Sequence, residues 1–568
     1  MIDRATALDT LQEEALDVLV IGGGVTGAGV ALDAASRGYS VGLVERDDFA
    51  CGTSSRSSKM VHGGLRYLQN FDVALVREAL VERRLMVQLA PHLVWPVPFM
   101  VPAFGDKRID RKIGLALNMY SVMQRGRSSS RADRLVRARL SGRSLRQYHR
   151  VSEESEWSPE RHRVISGEEV LELAPALESR NPHSAYMFYD CQTDDVRLVL
   201  TILGEAERYG AVMANRVSVT GLIERDGKTV GAAVTDVMTG SSFEISAKHV
   251  VNATGVWAGN LRPETAREQD VPSIRPSRGT HITLNAADLP LVGALVVPAG
   301  GDRTIFALPW LGRTLIGTTD SDYEGSLDHV RPGEADVEYL LDAVNNYFEL
   351  SLTSGDITGA YAGVRPLISS GDSSKSVDIS RRAELYEVEG GMITITGGKL
   401  TTWRAMAAMV VDRLVARDRR EAPCRTEEVP LGLPVEPEDL PVVQGVDTTT
   451  RDHLARRYGS AAVEVLLAAR ADRSLADPIV DGMPDPLAEV VIAARREQAQ
   501  SIGDVLLRRT RLGLLAARDL TWAGDMPPDS VSRVAQILAT ELNWDAPRVA
   551  AEITAWREIA KVEGLVTT

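Results

Sequence analysis

Apolar and polar positions along the chain first resolve into regular elements at Asp17. Asp17-Val18-Leu19-Val20-Ile21 is a short apolar run ending in Gly22-Gly23-Gly24, the pattern of a buried strand entering a turn. Residues 25–37, rich in Ala, Val and Leu, predict a helix that Gly38 stops. Ser40-Val41-Gly42-Leu43-Val44 predicts a second strand running into Glu45, so the segment is one βαβ unit. From residue 168 to 425, predicted helices alternate with β-rich runs at 231–245, 275–284 and 392–396. A stretch carrying Pro430, Pro434, Pro437 and Pro441 predicts a linker. Beyond it the helical period returns at 460–471, 487–511 and 530–542, which predicts a separate small α-domain.

Length and composition sharpen this outline. At 568 residues the chain exceeds one core, and three units are expected. Hydrophobic residues at 44% and charged residues at 25% are ordinary for a globular chain. A net charge of −14 argues against general nucleic-acid binding, since polyanions are repelled. Cys51, Cys191 and Cys424 cannot build a disulfide framework, and the sequence carries no metal-binding signature, so no metal is expected. A reducing, cytoplasmic compartment fits. The N-terminus lacks an apolar signal-peptide core, and no apolar run approaches the ~18 residues needed to span a bilayer, so any membrane contact is expected to be peripheral. The basic stretch 107–150, with Ile113-Gly114-Leu115-Ala116-Leu117 inside it, is either a lipid-docking face or a solvated positive surface, and Ser128-Ser129-Ser130 marks an exposed insertion.

Gly22-x-Gly24-x-x-Gly27 follows a strand and opens a helix, the context of a dinucleotide fingerprint. Gly22 permits the tight turn, Gly24 admits a pyrophosphate to the backbone, and Gly27 lets helix and strand pack closely. Glu45, about 20 residues on, stands where an acid accepts from a ribose hydroxyl. The rival reading is a glycine-rich packing turn. The fingerprint alone does not separate FAD from NAD, but two later segments favour FAD. Val250-Val251-Asn252-Ala253-Thr254-Gly255-Val256-Trp257 is a strand ending in a small-residue turn, suited to close backbone contact with a long cofactor. Met392-Ile393-Thr394-Ile395-Thr396 runs into Gly397-Gly398-Lys399, with a helix starting near Leu400-Thr401-Thr402 whose N-terminus would stabilise the anionic N1–C2=O side of a reduced flavin.

Longer motifs carry a resemblance. Residues 53–68 (TSSRSSKMVHGGLRYL), Asp194-Asp195-x-Arg197-Leu198, Arg278-Gly279-Thr280-His281-Ile282, Gly317-Thr318-Thr319-Asp320, Gly363-Val364-Arg365-Pro366-Leu367 and Gly397-Gly398-Lys399-Leu400-Thr401-Thr402-Trp403-Arg404 resemble the FAD-dependent, respiratory-type glycerol-3-phosphate dehydrogenases. The likeness runs in the family's order over residues 17–425, and the helical tail resembles the family's C-terminal cap. The arginine-rich stretch 125–163 has no counterpart there, and Ser380-Arg381-Arg382 matches the family's second late arginine motif only approximately.

The resemblance implies an α/β fold: a Rossmann-like FAD-binding domain (1–95, 190–270 and 360–428), an inserted substrate domain with a mixed or antiparallel sheet (96–189 and 271–359), a linker (429–445) and an all-α C-terminal domain (446–568). It implies non-covalent FAD against Gly22, Gly24, Gly27, Glu45, Arg46, Thr53, Ser54, Ser58, His62, Gly63, Gly64, Val217, Ala253, Thr254, Gly255, Asp320, Gly398, Lys399, Leu400 and Thr401. The implied substrate is sn-glycerol 3-phosphate, oxidised to dihydroxyacetone phosphate by hydride transfer from C2 to flavin N5.

Such a substrate is a dianion with a secondary alcohol, so its site needs planar donors for phosphate and a proton acceptor. Arg66, Tyr67, Arg365, Arg381 and Lys399 match the family's substrate contacts, and Arg66, Arg365 and Lys399 count with His281 as catalytic. His281 matches the family's active-site histidine and is expected, near an ordinary pKa of ~6.5, to take the hydroxyl proton; a structural histidine is the rival reading. His62 is expected to pack beside the flavin. The family's respiratory members imply a membrane quinone as acceptor, peripheral contact with the inner face of the cell membrane, and a homodimer. The alternatives are an oxygen-using oxidase, an amine or amino-acid oxidase of the same fold, and a flavin-binding sensor without turnover.

Overall fold

The computed structural model describes residues 3–64, 72–105, 114, 116–120, 162–264, 266–267, 270–301, 303–368 and 382–566. Nearly all of the basic stretch 107–150 and of the arginine-rich stretch 125–163 therefore lies outside the described residues.

Strand Leu16–Ile21 runs parallel to Val41–Val44 on one side and to the end of Ser242–Asn252 on the other. Val212–Ala214 and Ile393–Gly397 extend the sheet in parallel, and Ala383–Glu387 closes one edge antiparallel. Strands Leu16–Ile21 and Val41–Val44, central in the sheet, read as near-continuous apolar runs because helices cover it. Val25–Ser36 packs against both Asp195–Arg208 and Trp403–Asp418. Gly29 allows the closest part of that approach: a Cβ there would lie 2.6 Å from the Trp403 ring. The first half of Ser242–Asn252 leaves the parallel sheet and pairs with Lys228–Asp236, which pairs in turn with Val217–Arg225.

A second sheet orders Ser321–Asp322, Ile274–Asn285, Arg313–Gly317, Thr304–Trp310, Ala294–Pro298, Val94–Phe104, Pro182–Thr193 and Met60–Val61. Its pairs are antiparallel except where Ala294–Pro298 meets Val94–Phe104. Ile357–Ile368 also joins this sheet, along Ile274–Asn285. The second sheet thus reaches past residues 189 and 359, to Thr193 and Ile368.

The C-terminal region is helical, with Thr448–Tyr458, Ala462–Ala471, Ala488–Glu497, Asp529–Leu542 and Ala546–Glu563. The helix expected over 487–511 is interrupted: Gln498 at φ +52° ends Ala488–Glu497, and a π-helical turn, Asp504–Arg509, follows. Leu506, Leu512 and Trp556 share one apolar core with Trp310 and Tyr361 of the second sheet. The proline-bearing segment is not a free tether. Val429, Leu431, Leu440 and Val443 are buried, and Leu431 N donates to Leu89 O at 2.8 Å.

Candidate active site

A cavity of about 340 Å³ opens along the carboxyl ends of the parallel strands. Gly22 and Gly24, then Glu45 and Arg46, then Val217 line one stretch; Thr53, Ser54, Ala253, Thr254, Gly255, Gly398, Lys399 and Leu400 line the rest. The fingerprint glycines are required by contact. Gly22 sits at φ +110°, and a Cβ there would meet Ala253 O at 2.7 Å; at Gly27 a Cβ would lie 1.9 Å from Gly22 O. Gly24 is the N-cap of Val25–Ser36, so that helix presents its unpaired N–H groups to the cavity, the arrangement that receives a pyrophosphate. Ser54 Oγ already accepts from Val25 N at 2.9 Å.

Glu45 accepts from Gly23 N at 2.7 Å and from Asp47 N at 2.9 Å, which fixes its carboxylate at the cavity wall with lone pairs to spare. Burial raises its pKa, opposed by those two backbone donors. Arg46 lies over the Trp257 ring at 4.9 Å and pairs with Asp328 at 2.8 Å. At the other end Gly397 and Gly398 are consecutive left-handed glycines at φ +76° and +69°. They bend the chain into Leu400–Thr402 and then helix Trp403–Asp418, with Lys399 at the bend. The bare backbone, the helix start and the acid along one elongated wall fit an extended dinucleotide.

His281 lies in the second sheet, register-paired with Gly317 on one side and Tyr361 on the other. A Cβ at Gly317 would fall 2.2 Å from the imidazole, so glycine makes room for the ring. Nε2 shares a hydrogen bond with Ser58 Oγ at 2.9 Å. Burial, then the nearby charges of Lys59 and Arg365, push the His281 pKa well below 6.5. This corrects the expectation of a near-ordinary value: the ring is 2% exposed and faces two cations. Arg365 donates to Thr318 Oγ1 and Thr319 O, both at 3.2 Å, and pairs with Asp320 at 3.4 Å. Gly279 leaves space for that guanidinium, since a Cβ there would lie 2.6 Å from Nη2. Asp320, expected at the cofactor, is not in the cavity wall; it sits against Arg365 and Ser277.

Lys399 lines the cavity together with Pro366, the neighbour of Arg365 in strand Ile357–Ile368. Thr401 Oγ1 accepts from His62 N at 3.2 Å, joining the loop of residues 53–64 to the turn Leu400–Thr402. Gly63 N donates to Tyr120 Oη at 2.9 Å, and Gly64 turns at φ +77°. Arg66, Tyr67 and Arg381 lie outside the described residues.

Sequence reasoning missed the support beneath this cluster. Lys59 is fully buried, bonded to Asp195 at 2.8 Å and to Ser55 O at 2.6 Å, and lies 4.6 Å over the Tyr361 ring. Burial, then the Arg511 charge, push its pKa down to about 7 against the pull of Asp195. Arg511, from the helical tail, reaches both Ser55 O (2.9 Å) and Asp195 (3.2 Å). Lys59 and Asp195 stood inside noted motifs. Nothing in the sequence pairs either with residue 511.

A dinucleotide cleft bordered by a second sheet that supplies a buried histidine and a half-buried arginine defines a flavoprotein oxidoreductase. Residues 17–413 match the FAD dependent oxidoreductase family, so the cofactor is FAD, and residues 392–549 match the C-terminal domain of alpha-glycerophosphate oxidase. Glycerol-3-phosphate dehydrogenase 2 of Mycobacterium tuberculosis is 35% identical over 99% of this chain and 91% of its own length. Glycerol-3-phosphate dehydrogenase 1 of the same organism is 38% identical over 88% and 92%. The crystal structure of the glycerol-3-phosphate dehydrogenase from Bacillus halodurans complexed with FAD superposes with a TM-score of 0.75 at 28% identity, covering 99% of this chain and 97% of that one. The chain belongs to the glycerol-3-phosphate dehydrogenase family.

Proposed function

We propose that this protein oxidises sn-glycerol 3-phosphate to dihydroxyacetone phosphate and passes the electrons to a membrane quinone. The observation that carries the reading is the placement of His281 beside Arg365, with Lys399 in the cofactor wall next to Pro366. FAD supplies the acceptor for the hydride that leaves C2. Arg365 and Lys399, with Arg66, Tyr67 and Arg381 from the same motifs, hold the phosphate, where charge-assisted donors are strongest in a dry site. The proton of the C2 hydroxyl moves to Nε2 of His281, directly or through Ser58 Oγ, whose 2.9 Å contact marks the line of approach. A low imidazole pKa keeps that nitrogen unprotonated, and the surrounding cations lower the alcohol's own pKa to match. Substrate phosphate offsets part of the positive field on His281, which strengthens the base once the complex forms.

Oxygen as acceptor is the second reading, favoured by the match of residues 392–549 to a domain named for an oxidase. Among the described residues no helix is long and apolar enough to cross a membrane, so a quinone would be met from the bilayer surface. Anaerobic titration of the yellow protein with sn-glycerol 3-phosphate tests the half-reaction: the flavin band bleaches with one equivalent. Bleaching by glycine or another amine, and none by glycerol 3-phosphate, refutes the substrate assignment. Peroxide formed in stoichiometric yield under air, with no reduction of a soluble quinone, assigns the acceptor to oxygen.

A further inference from the structure

The helical C-terminal region brings together three groups that the proposed reaction does not use. His453, in helix Thr448–Tyr458, faces Asp485 and Glu489, the latter in helix Ala488–Glu497. Asp485 and Glu489 are 1% and 0% exposed. Each carboxylate has one oxygen committed. Arg457 donates to Asp485 Oδ1 and, at 2.8 Å, to Glu489 Oε1, which also accepts from Tyr458 Oη at 2.9 Å. The other oxygens, Asp485 Oδ2 and Glu489 Oε2, are buried with no hydrogen-bond partner, and so is His453 Nε2. One ligand atom from each residue lies within 4.8 Å of those from the other two.

Lone-pair atoms that face one another in a buried pocket repel, and unpaired they are costly to keep out of water. His453 Nε2 lies 3.4 Å from Asp485 Oδ1 and 3.9 Å from Glu489 Oε2, without aligning as a hydrogen bond to either. An imidazolium serving only as a counter-ion would turn to close one of those bonds. The pattern is instead that of carboxylate ligands: one oxygen anchored by outer donors, Arg457 and Tyr458, and the second left for a cation. His453 and Arg457 also line a cavity of about 410 Å³ against the second sheet, so the histidine edge of the cluster is open to that cavity.

We propose that His453, Asp485 and Glu489 bind one divalent transition-metal ion, Zn²⁺ or Mn²⁺, through one imidazole nitrogen and two carboxylate oxygens. A mixed nitrogen and oxygen set of this kind suits those ions better than Ca²⁺ or Mg²⁺, which take oxygen ligands. The ion has no part in the oxidation. It ties helix Thr448–Tyr458 to residues 485–489, and because Arg457 also donates to Thr510 O at 3.0 Å, it steadies the segment that delivers Arg511 to Asp195. Residues 453 and 485 lie too far apart in the chain for the sequence to suggest the site.

The full-length, FAD-loaded protein is stripped with a chelator and desalted, then offered Zn²⁺ or Mn²⁺. Bound metal is measured by mass spectrometry and affinity by calorimetry. The expected result is one ion per chain and an unfolding midpoint several degrees higher. His453→Gln, at a side chain 12% exposed, should weaken binding by more than the ~100-fold that loss of an outer partner costs, with the flavin spectrum unchanged. Asp485→Asn serves as a second variant. Failure of the stripped wild type to take up either ion overturns the proposal, and so does wild-type affinity in His453→Gln.

Discussion

The imidazole of His281 and the phenol of Tyr361 lie ring on ring, with centroids 4.8 Å apart and planes 8° from parallel. They are register partners on adjacent antiparallel strands, Ile274–Asn285 and Ile357–Ile368. The Tyr361 hydroxyl donates to Ser57 O at 2.8 Å, one residue from the Ser58 hydroxyl that meets His281 Nε2. Tyr361 therefore sets both the plane of the imidazole and the position of the loop it bonds.

Replacing that ring should separate the two roles. Tyr361→Phe keeps the stack and loses one hydrogen bond, worth about 1 kcal/mol of stability, with turnover within a few-fold of wild type. Tyr361→Leu frees the imidazole and should lower kcat at least tenfold while leaving KM and flavin content nearly unchanged. Steady-state kinetics alongside flavin absorbance reads both. Equal kinetics for the two variants would show that the stack has no positioning role.

Arg365→Ala removes a guanidinium that lies against Gly279, Thr318 and Asp320, close enough to depress the His281 pKa. Loss of a charge-assisted contact of about 3 kcal/mol raises KM for glycerol 3-phosphate roughly 100-fold. FAD should stay bound, because Arg365 is not in the cofactor wall. Arg365→Lys should recover only part of the loss, since an ammonium cannot reproduce the planar fork. Ordinary kinetics in the alanine variant would remove Arg365 from the substrate site.

The depressed pKa of His281 fixes the direction of the pH response. A protonated imidazole cannot accept the substrate proton, so kcat/KM falls as pH drops through the folded-state value. That acid limb should lie below pH 6.5. The same shift acts on stability. The unfolded chain binds a proton from about pH 6.5 downward, whereas the buried ring refuses it, so the contribution present above pH 6.5 is lost as pH falls toward the folded value. Lys59→Met takes away one of the two cations and should move the limb upward. A wild-type limb at or above pH 6.5 would contradict the burial argument.

The nucleotide half was legible because its chemistry is local. A turn, a helix start and an acid lie within one βαβ unit, and Gly22, Gly24, Gly27 and Glu45 can be read from spacing alone. His281 and Arg365 came from longer motifs whose order is informative but whose proximity is not, since adjacent strands of the second sheet bring them near one another, while Lys399 follows a strand of the parallel sheet. The support was illegible for the same reason. Arg511 reaches Asp195 only after the whole helical tail has folded back, and no local periodicity encodes that. Pro182–Thr193 and Ile357–Ile368 each run across a position read as a domain limit, 189 and 359, because strand pairing and not local composition decides where a sheet ends.

Gly27→Ala tests the cleft without touching the chemistry. An added Cβ would lie 1.9 Å from Gly22 O, a backbone atom that cannot swing aside, so helix Val25–Ser36 must move off the strand. The variant should be purified largely without flavin, and its residual activity should rise with added FAD. Gly38→Ala, where nothing lies within 4 Å of the added carbon, controls for the loss of a glycine, although its φ of +85° carries a modest strain of its own. Full flavin content in Gly27→Ala would mean the fingerprint is only a packing turn.

The seam between the helical tail and the cofactor domain rests on Asp48, which is fully buried. Arg509 holds both its oxygens, at 2.7 and 2.8 Å, Arg508 adds a third charged donor, and Asn215 Nδ2 donates at 3.0 Å. Burial alone would raise this carboxyl's pKa, but the charges of Arg509 and Arg508 hold it well below the usual range. Breaking one side of such a pair strands the other, at about 3–5 kcal/mol. Asp48→Ala, which leaves Arg508 with only Asp504 and Arg509 with only Glu497 as acidic partners, should therefore destabilise more than Arg509→Met, which leaves Asp48 with Arg508 and Asn215. Residues 45–47, immediately before Asp48, line the cofactor cavity, so the alanine variant should also release FAD at lower denaturant than wild type. Denaturant melts followed by both flavin fluorescence and far-UV circular dichroism check this. Unfolding of Asp48→Ala at the wild-type midpoint would show that the paired charges add nothing to the seam.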